Sequence, residues 1–385
     1  MLNFRSNLAF ALSTAGFLAC SSSNTSTPPA DASTRDTSNH DAAKADAPLE
    51  ASRDAGAPDA PDATGDAADA DAGPAVPTVI AKFDMAMGQL PEGLWEVSPD
   101  AVEFVGTTGT PITAWVPLAA PVTIAADGGA SSFGTLTAGT AQSTYTLGVI
   151  TDASGNVYYA VAASAAPPND PLPGIYKLPA AGGAATAFSL ASAVTPNMNF
   201  PNGLDFIGDN LYVADSEGVV YEVNPAGVAT VWSQDPLLAP SLSACSGTVP
   251  LAIGANGIVH DTSDVYVTNT DFGRVIKIPI NADGSAGTAS VLKEDCASLV
   301  GADGLVIDPK DDTFIIALNI QNKVVRMAKD GSTVTVLASG APYASPASPI
   351  IDTALGHRRV IVSNPAFFVA ADAGLSTGIV ALDIP

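Results

Sequence analysis

Four residues occupy the same place in a repeating pattern and carry side-chain oxygen: Glu92, Asn202, Asn256 and Asp303, each followed by glycine. Asn-Gly and Asp-Gly pairs are good turn formers, which accounts for any one of them. A turn explains poorly why one repeat position gathers two carboxylates and two amides. Hard oxygen donors without Cys or His suit Ca²⁺ or Mg²⁺ better than Zn²⁺. Two carboxylates balance the charge of a divalent ion, and amide oxygens and waters can complete its shell.

Such residues need elements that bring them together. From Thr78 to Pro385 no apolar stripe of helical period is sustained. Short runs rich in Val, Ile, Tyr and Phe alternate with Gly, Asp, Asn and Pro, the pattern of many short strands. Internal self-similarity then decides the architecture. Phe200–Phe206 is followed by Leu211–Asp215, Val219–Val223 and Ala229–Trp232, and the same order recurs from Ala255 and from Ala302. Weaker copies start near Leu147 and Ser348, and a first near Glu92. The equivalent positions Glu92, Leu147, Asn202, Asn256, Asp303 and Ser348 are 55, 55, 54, 47 and 45 residues apart. Six four-stranded units predict an all-β fold, a six-bladed β-propeller over residues 78–385. The last unit offers three strands, and the run Val79–Asp84 is expected to complete it and close the ring. In a propeller the first strand of each unit lines the central channel, so the slot residues converge on one mouth.

At this point the chain resembles the senescence marker protein/gluconolactonase (regucalcin) family of six-bladed propellers. The resemblance rests on Glu92-Gly-Leu, Asn202-Gly-Leu-Asp, Asn256-Gly-Ile and Asp303-Gly-Leu, in that order. It implies one divalent metal, Ca²⁺ or another such as Mg²⁺ or Zn²⁺, held by Glu92, Asn256 and Asp303. It implies substrate contact by Asn202 and a catalytic role for Asp303 as general base or water-positioning residue, in the hydrolysis of a lactone or related ester. The sequence departs from the family in two ways. The first unit is long and irregular through Thr107–Thr144, and no counterpart is found of the Arg that orients sugar-acid carboxylates. The rival reading is a non-catalytic propeller, similar to NHL-repeat proteins, that binds a ligand or another protein. A Gly106–Thr144 insertion and the Pro-rich stretch Ala163–Gly174 suit either a lid or a binding surface.

The N-terminal fifth reads differently. Leu8–Ala19 is apolar or small and follows Arg5, which fits a signal-peptide core and is too short to span a bilayer. Phe17-Leu-Ala-Cys20 resembles a bacterial lipobox, so residues 1–19 are expected to be a lipoprotein signal peptide and Cys20 the lipidated residue. An ordinary secretory signal with a chance Cys is the alternative. Residues 20–77 are Ala-, Asp-, Ser- and Pro-rich with few large apolar side chains, which predicts a disordered acidic linker. Ser21 lacks the Asp that retains lipoproteins at the inner membrane. The expected place is therefore the cell envelope, at the outer membrane, held through the lipid alone. The chain has 39 Asp plus Glu against 15 Lys plus Arg, which argues against nucleic-acid binding. A monomer is expected, with a small-molecule substrate or an envelope protein as partner.

The remaining chemistry-bearing residues have bland readings. Cys245 and Cys296 precede two slots in equivalent loops, and an oxidising compartment favours a disulfide between them over two free thiols. Three His are too few and scattered for a zinc site. His260 reads as a packed, hydrogen-bonded side chain rather than a proton shuttle, and His357 as solvated. Ser376 matches a nucleophile elbow by letters only, since strand residues follow it. Asp215, Asn269, Asn319 and Asn364 recur near the end of the second strand and are expected mainly to hydrogen-bond turns and neighbouring blades.

Overall fold

The structure, a computed structural model, describes residues 75–84, 89–98, 103–109, 122–124, 130–135, 144–163, 172–353, 356, 358–367 and 377–385. The expected signal peptide, Cys20, nearly all of the 20–77 linker, His357 and Ser376 lie outside the described residues.

Alternating apolar residues make the strands, and Gly-, Asp- and Asn-bearing turns separate them. Among the described residues six four-stranded antiparallel sheets result, with a two-stranded parallel pair. Five sheets are blades cut from consecutive sequence. Their inner strands are Leu90–Ser98, Thr144–Thr151, Pro201–Ile207, Ala255–His260 and Ala302–Asp308. A further sheet is composite: Pro349–Asp352, Arg359–Asn364 and Gly378–Asp383 are completed by Thr78–Lys82. The run from Val79 therefore does pair with the last strand, Val79 opposite Val380. Inner strands of successive sheets touch in a closed circuit, the composite sheet meeting both the fifth blade and the first. This is a β-propeller arrangement.

The first blade corrects one expectation. Val122–Ile124 and Ala130–Ser132 are its third and fourth strands, so part of the Gly106–Thr144 stretch is blade rather than insertion. Its Gly, Ala and Thr content hid strands that are only three residues long.

The slots are not turns. In all five contiguous blades the pairing between first and second strand shifts at the slot: Pro91/Leu94, Thr146/Val149, Pro201/Leu204, Ala255/Ile258 and Ala302/Leu305. Each slot residue and its glycine form a bulge, which kinks the strand and re-aims a side chain. The composite sheet keeps Pro349, Ile350 and Ile351 in regular register. The glycine is a packing requirement. A Cβ on Gly148 would lie 2.1 Å from the Asn202 carbonyl oxygen, on Gly203 2.3 Å from that of Asn256, and on Gly257 2.6 Å from that of Asp303. Each glycine thus lets one blade's bulge touch the backbone of the next.

Hydroxyls reinforce these seams. Thr268 Oγ1 donates to the Asp303 carbonyl at 2.6 Å and Thr270 Oγ1 to that of Ala302 at 2.7 Å. Ser363 Oγ donates to the Glu92 carbonyl, joining the composite sheet to the first blade in the same manner. Below the slots, Leu94, Val149, Leu204, Ile258, Leu305 and Ile350 stand two residues on in each inner strand. All six line the channel and are at most 7% exposed. They form an aliphatic collar around the axis.

Cys245 and Cys296 are joined in a disulfide. The bond ties the loop before the fourth blade's inner strand to the helical turn Cys296–Leu299 before the fifth's.

Two outcomes test this packing. Gly203→Ala should lower stability by about 1–3 kcal/mol, because backbone rather than a mobile side chain must give way; a denaturant midpoint equal to wild type would contradict it. Closing a loop of 51 residues is worth up to about 4 kcal/mol by the chain-entropy account. A Cys245→Ser/Cys296→Ser protein should therefore unfold at clearly lower denaturant concentration than the oxidised wild type.

Candidate metal centre

The bulges bring Glu92, Asn202, Asn256 and Asp303 to one pocket of about 570 Å³, together with Leu147 and Asn319. All four oxygen-bearing slot residues are at most 7% exposed. Ser348, the remaining slot, lines the channel below instead. The expected convergence therefore holds for the four, and Leu147 makes the second blade's share of the mouth apolar.

Three of the four slot side chains are held from behind. Asn202 Nδ2 donates to Ser216 Oγ at 3.3 Å, and Asn256 Nδ2 to Thr270 Oγ1 at 2.9 Å. Asp303 Oδ2 accepts from Asn319 Nδ2 at 2.9 Å, and Asn256 also hydrogen-bonds to Asp303. Ser216, Thr270 and Asn319 are structurally equivalent: their amides donate to Phe200, Gly254 and Gly301 carbonyls, each two residues before a slot. Asn319 was grouped by sequence with Asp215 and Asn269, but it belongs one position further on. The turn between Asp308 and Thr313 is longer than that between Ile207 and Asn210, which lengthens the slot-to-anchor spacing from 14 to 16 residues. The signal was present in the chemistry: a slot Asn can donate to a hydroxyl, whereas a slot carboxylate needs a donor.

The other second-strand residues behave as expected. Asp215 accepts from the Phe200 and Glu217 amides, Asn269 donates to the Leu237 and Ala239 carbonyls, and Asn364 bridges Ala344 and Pro342. His260 Nδ1 lies 2.7 Å from Asp205 Oδ2 of the neighbouring blade, and His260 does not line the site pocket. The hydrogen bond to Asp205 raises the His260 pKa.

Electrostatically the site is unsettled. Burial, with the Asp303 charge second, holds the Glu92 carboxyl well above the usual range. Burial pushes Asp303 up to about 7, against the pull of the Asn319 and Asn256 hydrogen bonds. Glu92 Oε2 and Asn319 Oδ1 are buried without a hydrogen-bond partner. Native proteins rarely leave such atoms orphaned, so each calls for a partner such as an ordered water or a bound ion. Among the described residues no three His, Cys, Asp or Glu side chains group to hold a metal. The donor set here is instead two carboxylates plus amides.

The fold has solved counterparts. The chain is similar to regucalcin, a calcium-binding protein from Agrobacterium tumefaciens, at 15% identity and TM-score 0.56, covering 81% of this chain and 94% of that one. A gluconolactonase from Xanthomonas campestris is similar at 16% identity and TM-score 0.51, covering 82% and 98%. An auxiliary nutrient-binding protein from Bacteroides thetaiotaomicron is similar at 11% identity and TM-score 0.52, covering 80% and 75%. The resemblance read from the slot motifs is thus matched by propellers of the regucalcin and gluconolactonase kind. At these identities the likeness is one of fold. No family model and no curated protein matches the sequence.

The buried carboxyls give a pH test. Both hold their proton more tightly folded than unfolded, so their contribution to stability is present at low pH. It is lost as pH rises from about 4 towards the Asp303 value of about 7. With chelator present, the wild-type denaturant midpoint should fall across that window. The Glu92→Gln/Asp303→Asn protein should show a shallower fall, and equal slopes would mean that these two groups do not titrate as buried acids.

Proposed function

We propose that the pocket binds a divalent cation, Ca²⁺ in the first instance, through Glu92, Asn256 and Asp303, and that the protein hydrolyses a lactone or related ester there. The observation that carries this reading is the pair of buried carboxylates facing one pocket, with Glu92 Oε2 and Asn319 Oδ1 left without partners. Oxygen-only donors fit Ca²⁺, which accepts carboxylate, amide and water oxygens in flexible geometry. Asn319 joins the set through its free Oδ1, or by holding Asp303 in place.

When bound, the cation would supply Lewis acidity, polarising an ester carbonyl and stabilising the negative charge that forms on its oxygen. The chain's own residues do the rest. Asp303, held in a fixed orientation by Asn319, accepts the proton of an attacking water. Asn202 keeps its carbonyl and one amide hydrogen for the substrate, since Ser216 engages only the other. The aliphatic collar gives the reacting end an apolar boundary on the channel side.

The envelope setting is part of the proposal and rests on sequence alone. The basis is the apolar run Leu8–Ala19, Cys20 in its lipobox-like context and the acidic stretch that follows. A lipid on Cys20 would hold a monomeric domain at the outer membrane. Mass spectrometry of the N-terminal peptide from a bacterial host tests it.

Calorimetric titration of Ca²⁺ into the metal-stripped full chain tests the site. One ion per chain should bind, and Asp303→Asn should weaken it beyond the roughly 10- to 100-fold typical of an outer-shell change. Lactone turnover should vanish in the same variant. Binding without turnover of any ester would favour the non-catalytic reading, and wild-type affinity in the variant would refute the centre.

A further inference from the structure

The walls of the pocket differ in chemistry from its floor. Above the slot oxygens stand Tyr145, Leu147, Phe200, Leu251, Ile253 and Phe367. Among the described residues no Lys, Arg, His, Ser or Thr lines the pocket. Apart from the Tyr145 hydroxyl, the polar side-chain atoms of the lining are those of Glu92, Asp303 and the amides of Asn202, Asn256 and Asn319. Leu251 and Ile253 enter from the loop that the Cys245–Cys296 disulfide ties down. Ile253 is further fixed by its amide, which donates to the Asp271 carboxylate. The apolar wall is therefore built in.

We propose that the ligand of this site is a lipophilic lactone or ester, with its carbonyl at the slot oxygens and an alkyl or aryl substituent against the six-residue wall, and not a polyhydroxylated sugar lactone. The proposal rests on the functional reading above and specifies its substrate class. A sugar lactone carries hydroxyls around its ring. Those turned to Leu147, Phe200, Leu251 and Ile253 would lose water and find no partner. Each such loss weakens binding by about 5- to 150-fold. An alkyl chain in the same place gains about fourfold per buried methylene. Among the described residues the wall carries no cationic side chain, in line with the missing counterpart of an Arg to orient a sugar-acid carboxylate.

The test uses the full chain loaded with Ca²⁺ and three probes: δ-valerolactone, δ-decalactone and glucono-δ-lactone. Binding is read by ligand-observed NMR and turnover by acid release. δ-Decalactone should bind most tightly, by about fourfold per buried methylene over δ-valerolactone, with glucono-δ-lactone weakest. Leu251→Gln, in a half-buried loop position, should shrink the gap between the two alkyl lactones, and Ile253→Thr should do the same. Circular dichroism confirms that each variant is folded. Affinities that follow chain length without any turnover would remove the hydrolysis reading and leave the ligand class standing. The inference is overturned if glucono-δ-lactone binds as well as δ-decalactone, if chain length has no effect, or if neither alkyl lactone binds.

Discussion

The close approach of the inner strands at the axis is the constraint on which this protein depends. A Cβ at Gly148, Gly203 or Gly257 would collide with the carbonyl oxygen of the next slot. The glycine allows contact, the contact forces a bulge, and the bulge turns the preceding side chain out of the regular pleat. The bulge recurs in five blades and the close glycine contact at Gly148, Gly203, Gly257 and Gly304, so one local device serves to place Glu92, Asn202, Asn256 and Asp303 around one pocket. The residue type then decides what each blade contributes. Leu147 gives the mouth an apolar sector with the same backbone that elsewhere presents oxygen.

This division explains the electrostatics. Six aliphatic side chains surround the slots on the channel side and an aromatic and aliphatic wall on the other, and the slot carboxyls are almost wholly buried. Two carboxyls in such surroundings cannot both be charged without a cation or a shared proton. The strongly acidic composition of the chain adds to a potential that favours cations over anions. The hydrogen bonds behind the slots fix which oxygen faces the pocket. A buried and incompletely paired donor set is costly for an empty protein.

The repeat was legible because Gly, Asn and Asp punctuate short apolar runs at nearly constant spacing, and slot convergence follows from propeller geometry. The meaning of the glycine was not legible. Asn-Gly suggests a turn by letters, and only the neighbouring strand's position shows that it is a bulge. Asn319 was misplaced because a longer turn after Asp308 shifted its count from the slot. The short third and fourth strands of the first blade, Val122–Ile124 and Ala130–Ser132, escaped because three residues carry too little pattern. Leu251, Ile253 and Phe367 lie outside the strands' repeat pattern, so no periodicity points to them. The disulfide was legible because both Cys precede slots by similar distances.

The composite sheet has a consequence in time. Its strands Thr78–Lys82 and Gly378–Asp383 stand at opposite ends of the domain, so a growing chain makes the first long before its partner exists. Glu92 and Asp303 lie in the two blades that flank this seam, and the Glu92 carbonyl is held by Ser363 within it. Synthesis must pass the last strand before the two acids are locked face to face. A nascent or truncated chain therefore carries the slot residues without the pocket, and the site becomes a property that only the finished ring acquires. Contacts so distant in sequence carry a larger loop-closure cost, which slows ring closure.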